Sequence, residues 1–479
     1  MLGKFAELTK SILRRLASIF GYTQKTNSRE DIPQKKAESI KAQGKFDALK
    51  QRHLHLNSVH QEVKTKYKNL YRRFGFLKQD IFFQQTAMAV GKKNSLMAYL
   101  TDNKINNQFD LVISHELGSG YAGLHLASQS RSGRMILDVV EHPFLSGRSG
   151  QADRERQPSN DIGSDLFANV FVDVLNRADG AIATSQSQID ILTQLGCNHD
   201  IRLVRNCRMS TDGAARGDGA FAATSSVAGV RGGLGPDDKV LLYANNVYPS
   251  GGAIQCIEAL ARLPEDYHLV FLGRIMSGEE AITQAIEVNG VTERVAFLDL
   301  VDPSELVEHC SSADIALLPL LPDVPNNRTA LPNRVFDSIA SGNPYLAARG
   351  TEMGDFALEH GVGDVFEHME PQHMADKIEQ TVARTRAGEF DQAMTQAQAT
   401  FTWENELEKL TPLVKPADSP SRTPIRAAIL ALKTIRTNDR VRRLSLALLA
   451  QGYAVEVFAY DQPAESLRLP QVEYHVVTA

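Results

Sequence analysis

Two series of short apolar runs, each separated from the next by a helix-length stretch, constrain this chain more than any other feature. The first series comprises residues 109–114, 134–140, 180–185 and 201–204; the second comprises 240–244, 268–272, 295–298, 315–318 and 345–348. Such runs, without polar alternation, suit strands buried on both faces, and their spacing by helices predicts parallel α/β sheets. At 479 residues the chain is too long for one ordinary core and suits two doubly wound domains. Helices are expected at 253–262, 279–289, 303–311, 332–341, 374–386 and 403–410. The stretch 209–238, rich in Gly, Ala, Ser and Asp, reads as a linker with a short helical piece, and Pro412, Pro416, Pro420 and Pro424 mark a second, stiffer one.

After that second linker the chain restarts. Residues 425–430 read as strand, 440–450 as helix, and 454–458 and 472–477 as strands, a βαβ unit that normally opens a doubly wound domain. The first domain, read from residue 105, lacks that opening. In the strand order 3-2-1-4-5-6 the first strand neighbours the fourth, so 425–430 is expected to lie parallel beside 110–114. The domains are then 1–208 with 424–479, a linker at 209–238, a second domain at 239–400, and a crossing helix with linker at 401–423. A truncated tandem, in which residue 425 opens an unfinished second unit, is the competing account.

Net charge is −5, yet residues 1–104 hold about 21 Lys and Arg against 8 Asp and Glu. Leu2, Phe5, Leu8, Ile12, Leu13, Leu16, Ile19 and Phe20 recur there at helical spacing, with Lys4, Lys10, Arg14 and Arg15 between them. One reading is a helix peripheral to an anionic membrane; the other is a helix packed on its own domain with a solvated basic face. No nucleic-acid reading module accompanies the charge, and nucleic acid is not an expected partner. No run of about 18 apolar residues suggests a membrane span. Cys197, Cys207, Cys256 and Cys310 have neither metal-ligand nor disulfide-framework spacing. With no secretory pattern at the start, these cysteines point to a cytoplasmic location.

Three segments carry candidate chemistry. Residues 245–252, including Asn246, Gly251 and Gly252, join a strand to a helix, and paired glycines let backbone N–H groups approach an anion. At 329–344, Pro332 suits a helix start whose free N–H groups can hold a diphosphate, and Asp337 lies about one turn inside, where a carboxylate can accept from ribose hydroxyls. His115-Glu116 and Glu141-His142 each follow an expected strand, at the sheet edge where α/β ligands bind. There they can orient hydroxyls or stabilise developing charge. A plain turn, an exposed helix carboxylate and structural histidines are the bland alternatives.

Taken together, these segments resemble the large retaining glycosyltransferase family numbered four and its GT-B relatives. Ala330-Leu331-Pro332-Asn333-Arg334-Val335-Phe336-Asp337 is similar to the family's Leu-Pro-Asn-Lys-Leu-Phe-Glu helix entry. Asp138 through His142 resembles its Asp-x-His-Glu strand end, although the histidine is placed differently. Asn438-Asp439-Arg440-Val441 with Gly452-Tyr453-Ala454-Val455 resembles the family's opening strand-helix-strand. The resemblance implies a GT-B fold, two Rossmann-like doubly wound parallel-sheet domains facing across a cleft, here circularly permuted. It implies transfer of a sugar from a nucleoside-diphosphate sugar to a glycan or lipid-linked acceptor, with retention, no metal and no cofactor beyond the donor substrate. His115, Glu116 and Glu141 would face the acceptor; Asn246, Gly251, Gly252, Arg274, Leu331, Asn333, Arg334 and Asp337 would bind the donor. The family's paired glutamates fall on Thr329 and Asp337. Its diphosphate-gripping basic residues fall near Asn245, Asn246 and Gly251, so Arg274 or Arg334 would substitute. A non-catalytic binding or scaffold protein, or a nucleotide-sugar epimerase, on the same fold are the alternatives.

Overall fold

The computed structural model describes residues 81–130, 133–140, 172–210, 226–303, 305–320, 322, 325–416, 424–436 and 438–477, all within the compact unit Asp80–Ala479. The amphipathic segment at 2–20, residue Glu141 and most of the first linker lie outside these residues.

Two parallel sheets organise the described chain. Strands β1 (Leu111–His115), β2 (Arg134–Val139), β3 (Gly180–Ala183) and β4 (Ile201–Leu203) begin the first. The second is built from β5 (Lys239–Ala244), β6 (Tyr267–Leu272), β7 (Val295–Leu298), β8 (Ile315–Leu318), β9 (Tyr345–Ala348) and β10 (Gly363–Phe366), in the order β10-β9-β8-β5-β6-β7. The chain then returns to the first sheet with β11 (Arg426–Ala431), β12 (Ala454–Ala459) and β13 (Val472–Val476), giving the order β13-β12-β11-β1-β2-β3-β4. Strand β11 lies parallel to β1 in the register Leu111↔Ala427 through Ser114↔Leu430, the pairing expected from the sequence. Asp110 anchors the start of the pair: its carboxylate accepts from the Arg426 N–H at 2.9 Å, and its own N–H donates to the Arg426 carbonyl at 2.8 Å.

The composition of β11 explains its interior position. Ala427 to Ala431 is buried throughout, and a strand without an exposed alternate face is stable only with neighbours on both edges and cover on both faces. One face meets Leu96, Leu100 and Leu126, from the helices Ile81–Asp102 and Gly120–Ala127. The other meets Val441, Leu444 and Leu448 from the helix Asp439–Ala450, with Trp403, Leu410 and Val414 from the helix Trp403–Val414. That last helix crosses from the second lobe onto the first and delivers the chain to β11. Pro412, read from sequence as a linker residue, lies inside it; proline in the last turns of a helix sacrifices one hydrogen bond without ending it.

The lobes join at two strands of chain running side by side. Arg208, leaving the first lobe, forms a parallel bridge with Thr402, and its carbonyl accepts from the Trp403 N–H at 2.7 Å. No described helix is long and apolar enough to cross a membrane.

Candidate functional site

On the second lobe the candidate donor residues gather at the carboxyl edge of the sheet. Gly252 has φ +84°, and a Cβ there would stand 2.7 Å from the Pro319 carbonyl oxygen, so the turn after β5 needs glycine. Gly273, after β6, has φ +150°, and a Cβ there would meet the Asn245 carbonyl at 2.3 Å. These two close approaches let the β5 and β6 turns lock together, with the Val247 N–H donating to the Arg274 carbonyl at 2.8 Å. The Tyr243 hydroxyl donates to the Gly251 carbonyl at 3.0 Å. Asn246 Oδ1 is buried without a hydrogen-bond partner among the described residues.

The helix Asn333–Ser341 begins beside this turn. Leu331 is buried ahead of it, and Pro332 occupies its N-cap without a side-chain cap, which leaves first-turn N–H groups for an external acceptor. Asn333 is exposed at that end. Arg334 keeps partial solvent access but makes no hydrogen bond or salt bridge with a described residue. Burial lowers its guanidinium from the ordinary value, against the opposing influence of Tyr243 and Asp337. Tyr243 is itself pushed up to about 12 by burial, with Arg334 pulling the other way. The result is a cation without an anion of its own, held beside uncapped helix N–H groups.

Arg274, the other expected clamp, contributes its backbone to the turn but not its charge: its side chain, 62% exposed, pairs with Asp299 at 2.8 Å. Asp337 is 3% exposed, and its Oδ1 lies 2.5 Å from Arg208 Nε. Arg208 also donates to the Pro303 carbonyl at 3.3 Å and stands 3.6 Å from Asp439 of the first lobe. Asp337 therefore belongs to a buried charge group at the junction of the lobes. Thr329, at the other family glutamate position, accepts through its carbonyl from Ser185 Oγ of the first lobe at 2.6 Å.

On the first lobe His115 ends β1 and is 2% exposed. Its Nδ1 donates to Asp138 Oδ2 at 2.7 Å, and its Nε2 accepts from Asn438 Nδ2 at 3.1 Å. Asn438 also caps the helix Asp439–Ala450. Arg440 grips the same Asp138 carboxylate at 2.6 to 3.0 Å and donates to the Val204 carbonyl and Asn206 Oδ1 at 3.0 Å. Burial raises the Asp138 acid, but Arg440 and His115 outweigh it and hold the carboxyl well below the usual range. Both His115 ring nitrogens are thus engaged, by Asp138 and by Asn438. Glu116, next in sequence, adopts φ +65° and pairs with Lys433. Glu141 falls outside the described residues.

The sequence reading missed Arg208, Asp138, Asn438 and Arg440 as site residues. The available signal was Asp138 itself, a charge in the middle of an apolar run that a buried strand tolerates only when paired. Among the described residues Glu456, Glu473 and His475 come close enough to share a cation, but Glu456 is already held by Arg426 and by His475 at 3.1 Å.

Residues 238–384 match the family model described as Glycosyl transferases group 1. The D-inositol 3-phosphate glycosyltransferase of Corynebacterium diphtheriae is 26% identical over 184 residues, 36% of this chain and 41% of that protein, so the match spans about two fifths of the relative's length. Sucrose-phosphate synthase from Thermosynechococcus elongatus superposes with a TM-score of 0.50 at 16% identity, covering 67% of this chain and 76% of that one. HepE from Anabaena, solved in complex with UDP, gives 0.50 at 17% identity, covering 67% and 81%. These two likenesses concern the fold, and with the sheet topology they lead to one assignment: the chain has the GT-B fold, with residues 238–384 of its second lobe similar to the glycosyl transferases group 1 model.

Proposed function

We propose that the protein transfers a sugar from a nucleoside-diphosphate sugar to a glycan or lipid-linked acceptor, with retention and without a metal. Arg334 carries this reading: a partly enclosed guanidinium with no counter-ion, at an uncapped helix start and beside a glycine turn, is suited to a diphosphate. Charge develops on the leaving diphosphate as the glycosidic bond breaks, and Arg334 with the Asn333–Ser341 N–H groups would stabilise it in a preorganised way. The leaving phosphate can accept the acceptor's proton, so both nitrogens of His115 are free to serve a structural role. Leu331, Asn333, Asn246, Gly251 and Gly252 shape the pocket; Glu116 faces the acceptor side. We further infer that the first lobe is circularly permuted, that the protein works in the cytoplasm, and that residues 1–22 bring it to anionic lipid.

The ion-paired Asp337 and the non-basic Asn245 and Asn246 favour a second reading, a GT-B protein that binds without catalysis. A panel of nucleoside diphosphates in thermal-shift measurements, followed by donor turnover with common sugar nucleotides, separates the two. For the best nucleotide, Arg334→Met should weaken binding by about tenfold to a hundredfold, the worth of charge-assisted hydrogen bonds of about 1.5 to 3 kcal/mol. Stabilisation by no nucleotide, or equal affinity in the variant, would remove the donor site from Arg334. Binding without turnover would favour the non-catalytic reading.

A further inference from the structure

The carboxyl edge of the first sheet carries a second cationic feature, separate from Arg334. Four elements converge there. Glu116 follows β1, Lys433 follows β11, Tyr460 follows β12, and Lys92 reaches in from the helix Ile81–Asp102. The Glu116 carboxylate accepts from Lys433 Nζ. Lys92 Nζ makes no hydrogen bond or ion pair with a described residue. It lies directly above Gly118, where an added Cβ would stand 2.8 Å away, and 6.0 Å from the centre of the Tyr460 ring. The group thus holds two ammonium ions and one carboxylate, an excess of one positive charge in a partly enclosed place. Burial pushes the Lys92 ammonium down from its ordinary value; Glu116 opposes this and Lys433 adds to it.

The local backbone supports the same reading. Glu116 sits at φ +65°, a left-handed conformation that is strained for a side-chain-bearing residue. It is fixed there by its N–H donating to the Asp138 carbonyl at 2.8 Å and its carbonyl accepting from the Ser119 N–H at 3.1 Å. Strain of this kind persists where the surrounding structure over-determines it, and such places concentrate at ligand sites. Here it holds Glu116 against Lys433 and leaves Lys92 as the unmatched charge. The lack of a side chain at Gly118 gives the Lys92 ammonium room to pack there.

We propose that Lys92 and Lys433 form a subsite for a phosphate group on the acceptor. The inference deepens the transferase reading and rests on it for the word acceptor. Lysine ammonium ions bind phosphate as movable point charges. Glu116 sets the selectivity: it neutralises one lysine in the empty site, and a phosphate monoester entering the site draws on both.

The test uses the full chain with its nucleoside diphosphate present at saturation, so that phosphate binding at Arg334 is blocked. Inorganic phosphate is titrated by calorimetry and thermal shift, with sodium chloride at matched ionic strength as control. Wild type should bind phosphate saturably; Lys92→Met should bind it at least tenfold more weakly, Lys92→Arg should restore most of the affinity, and nucleotide affinity should stay the same in both. Glycerol phosphate and vesicles containing an anionic phospholipid, compared in the same way, separate a soluble phosphorylated acceptor from a lipid-borne one. Equal phosphate affinity in wild type and Lys92→Met, or a wild-type response no larger than that to chloride, overturns the proposal. Should Lys92→Met fail to fold, Lys433→Gln gives the same decision. Absence of nucleotide binding would sink the transferase reading, whereas the phosphate comparison, repeated without nucleotide in an Arg334→Met background, decides the subsite alone.

Discussion

A carboxylate with no solvent contact must recover from protein groups what it loses in hydration, and Asp138, at 0% exposure, does so through Arg440 and His115. Removing the charge while keeping the shape strands a guanidinium that is itself 2% exposed. We therefore expect Asp138→Asn to cost about 3 to 5 kcal/mol at neutral pH, as breaking a buried pair does. The sign of the pH dependence follows from the depressed acid. A carboxyl whose folded value lies below its unfolded value, near 3.9, contributes its full stability above about pH 4. That contribution is lost as pH falls through the folded value. The gap in melting temperature between wild type and Asp138→Asn should be widest at pH 7 and should narrow below about pH 4; a gap that stays constant from pH 7 to pH 3 would show that the carboxylate is not the source. The charge at Asp138 inside an apolar run was there to be read, but its partner was not, because Arg440 stands 302 residues away. Asp337 teaches the same lesson: its helix position was legible, whereas its ion pair with Arg208 was not.

Elements were legible where burial is continuous. The runs at 240–244, 268–272 and 315–318 become central parallel strands because every residue in them faces protein on at least one side. Strand β10 escaped the reading because Gly361-Val362-Gly363-Asp364 looks like a turn, yet Gly363 is in the strand for a steric reason: a Cβ there would lie 2.0 Å from the Tyr345 carbonyl. The helix Glu352–His360 was likewise passed over, although Thr351 caps it and Gly361 ends it at φ +64°. The turn 249–252 is where element geometry and function meet. Gly252→Ala must adopt a left-handed backbone and push its methyl against the Pro319 carbonyl. A strained left-handed alanine alone costs about 1 kcal/mol, and the contact adds to it. We expect a lower melting temperature together with weaker nucleotide binding, since the same turn borders Arg334 through Tyr243 and Gly251. An alanine variant with wild-type stability and affinity would mean that the turn relaxes freely and does not shape the pocket.

At the scale of the whole molecule the two lobes share a series of polar contacts besides the apolar packing of Cys207 and of the helix Trp403–Val414. Arg208 stands between Asp337 and Asp439, Ser185 donates to the Thr329 carbonyl, Glu352 accepts from Ser187 and from the Gln186 N–H, and Ser466 donates to Asp302. Such contacts suit lobes that open and close, as the proposed donor binding would require. The covalent path is unusual in one respect: β11, an interior strand of the first sheet and the neighbour of its central strand β1, is made after the entire second lobe. The permutation proposed above would account for this order, because moving residues 424–479 to the front of the chain would produce β11, β12 and β13 before β1 in a sheet of unchanged topology. A chain rearranged as 424–479, a flexible linker of about ten residues, then 1–416, should therefore fold to the same structure. Its melting temperature should lie within a few degrees of wild type, and native-state hydrogen exchange should protect the β11 and β1 amides equally. A chain ending at residue 416 should behave differently: β1 becomes a bare edge and the face of the helix Trp403–Val414 loses Ala427, Ile429 and the helix Asp439–Ala450. First-lobe protection should collapse while the second lobe keeps its own. If the shortened chain instead retains first-lobe protection, or the rearranged chain cannot form it, residues 424–479 are an appended start of another unit, and the permutation is wrong.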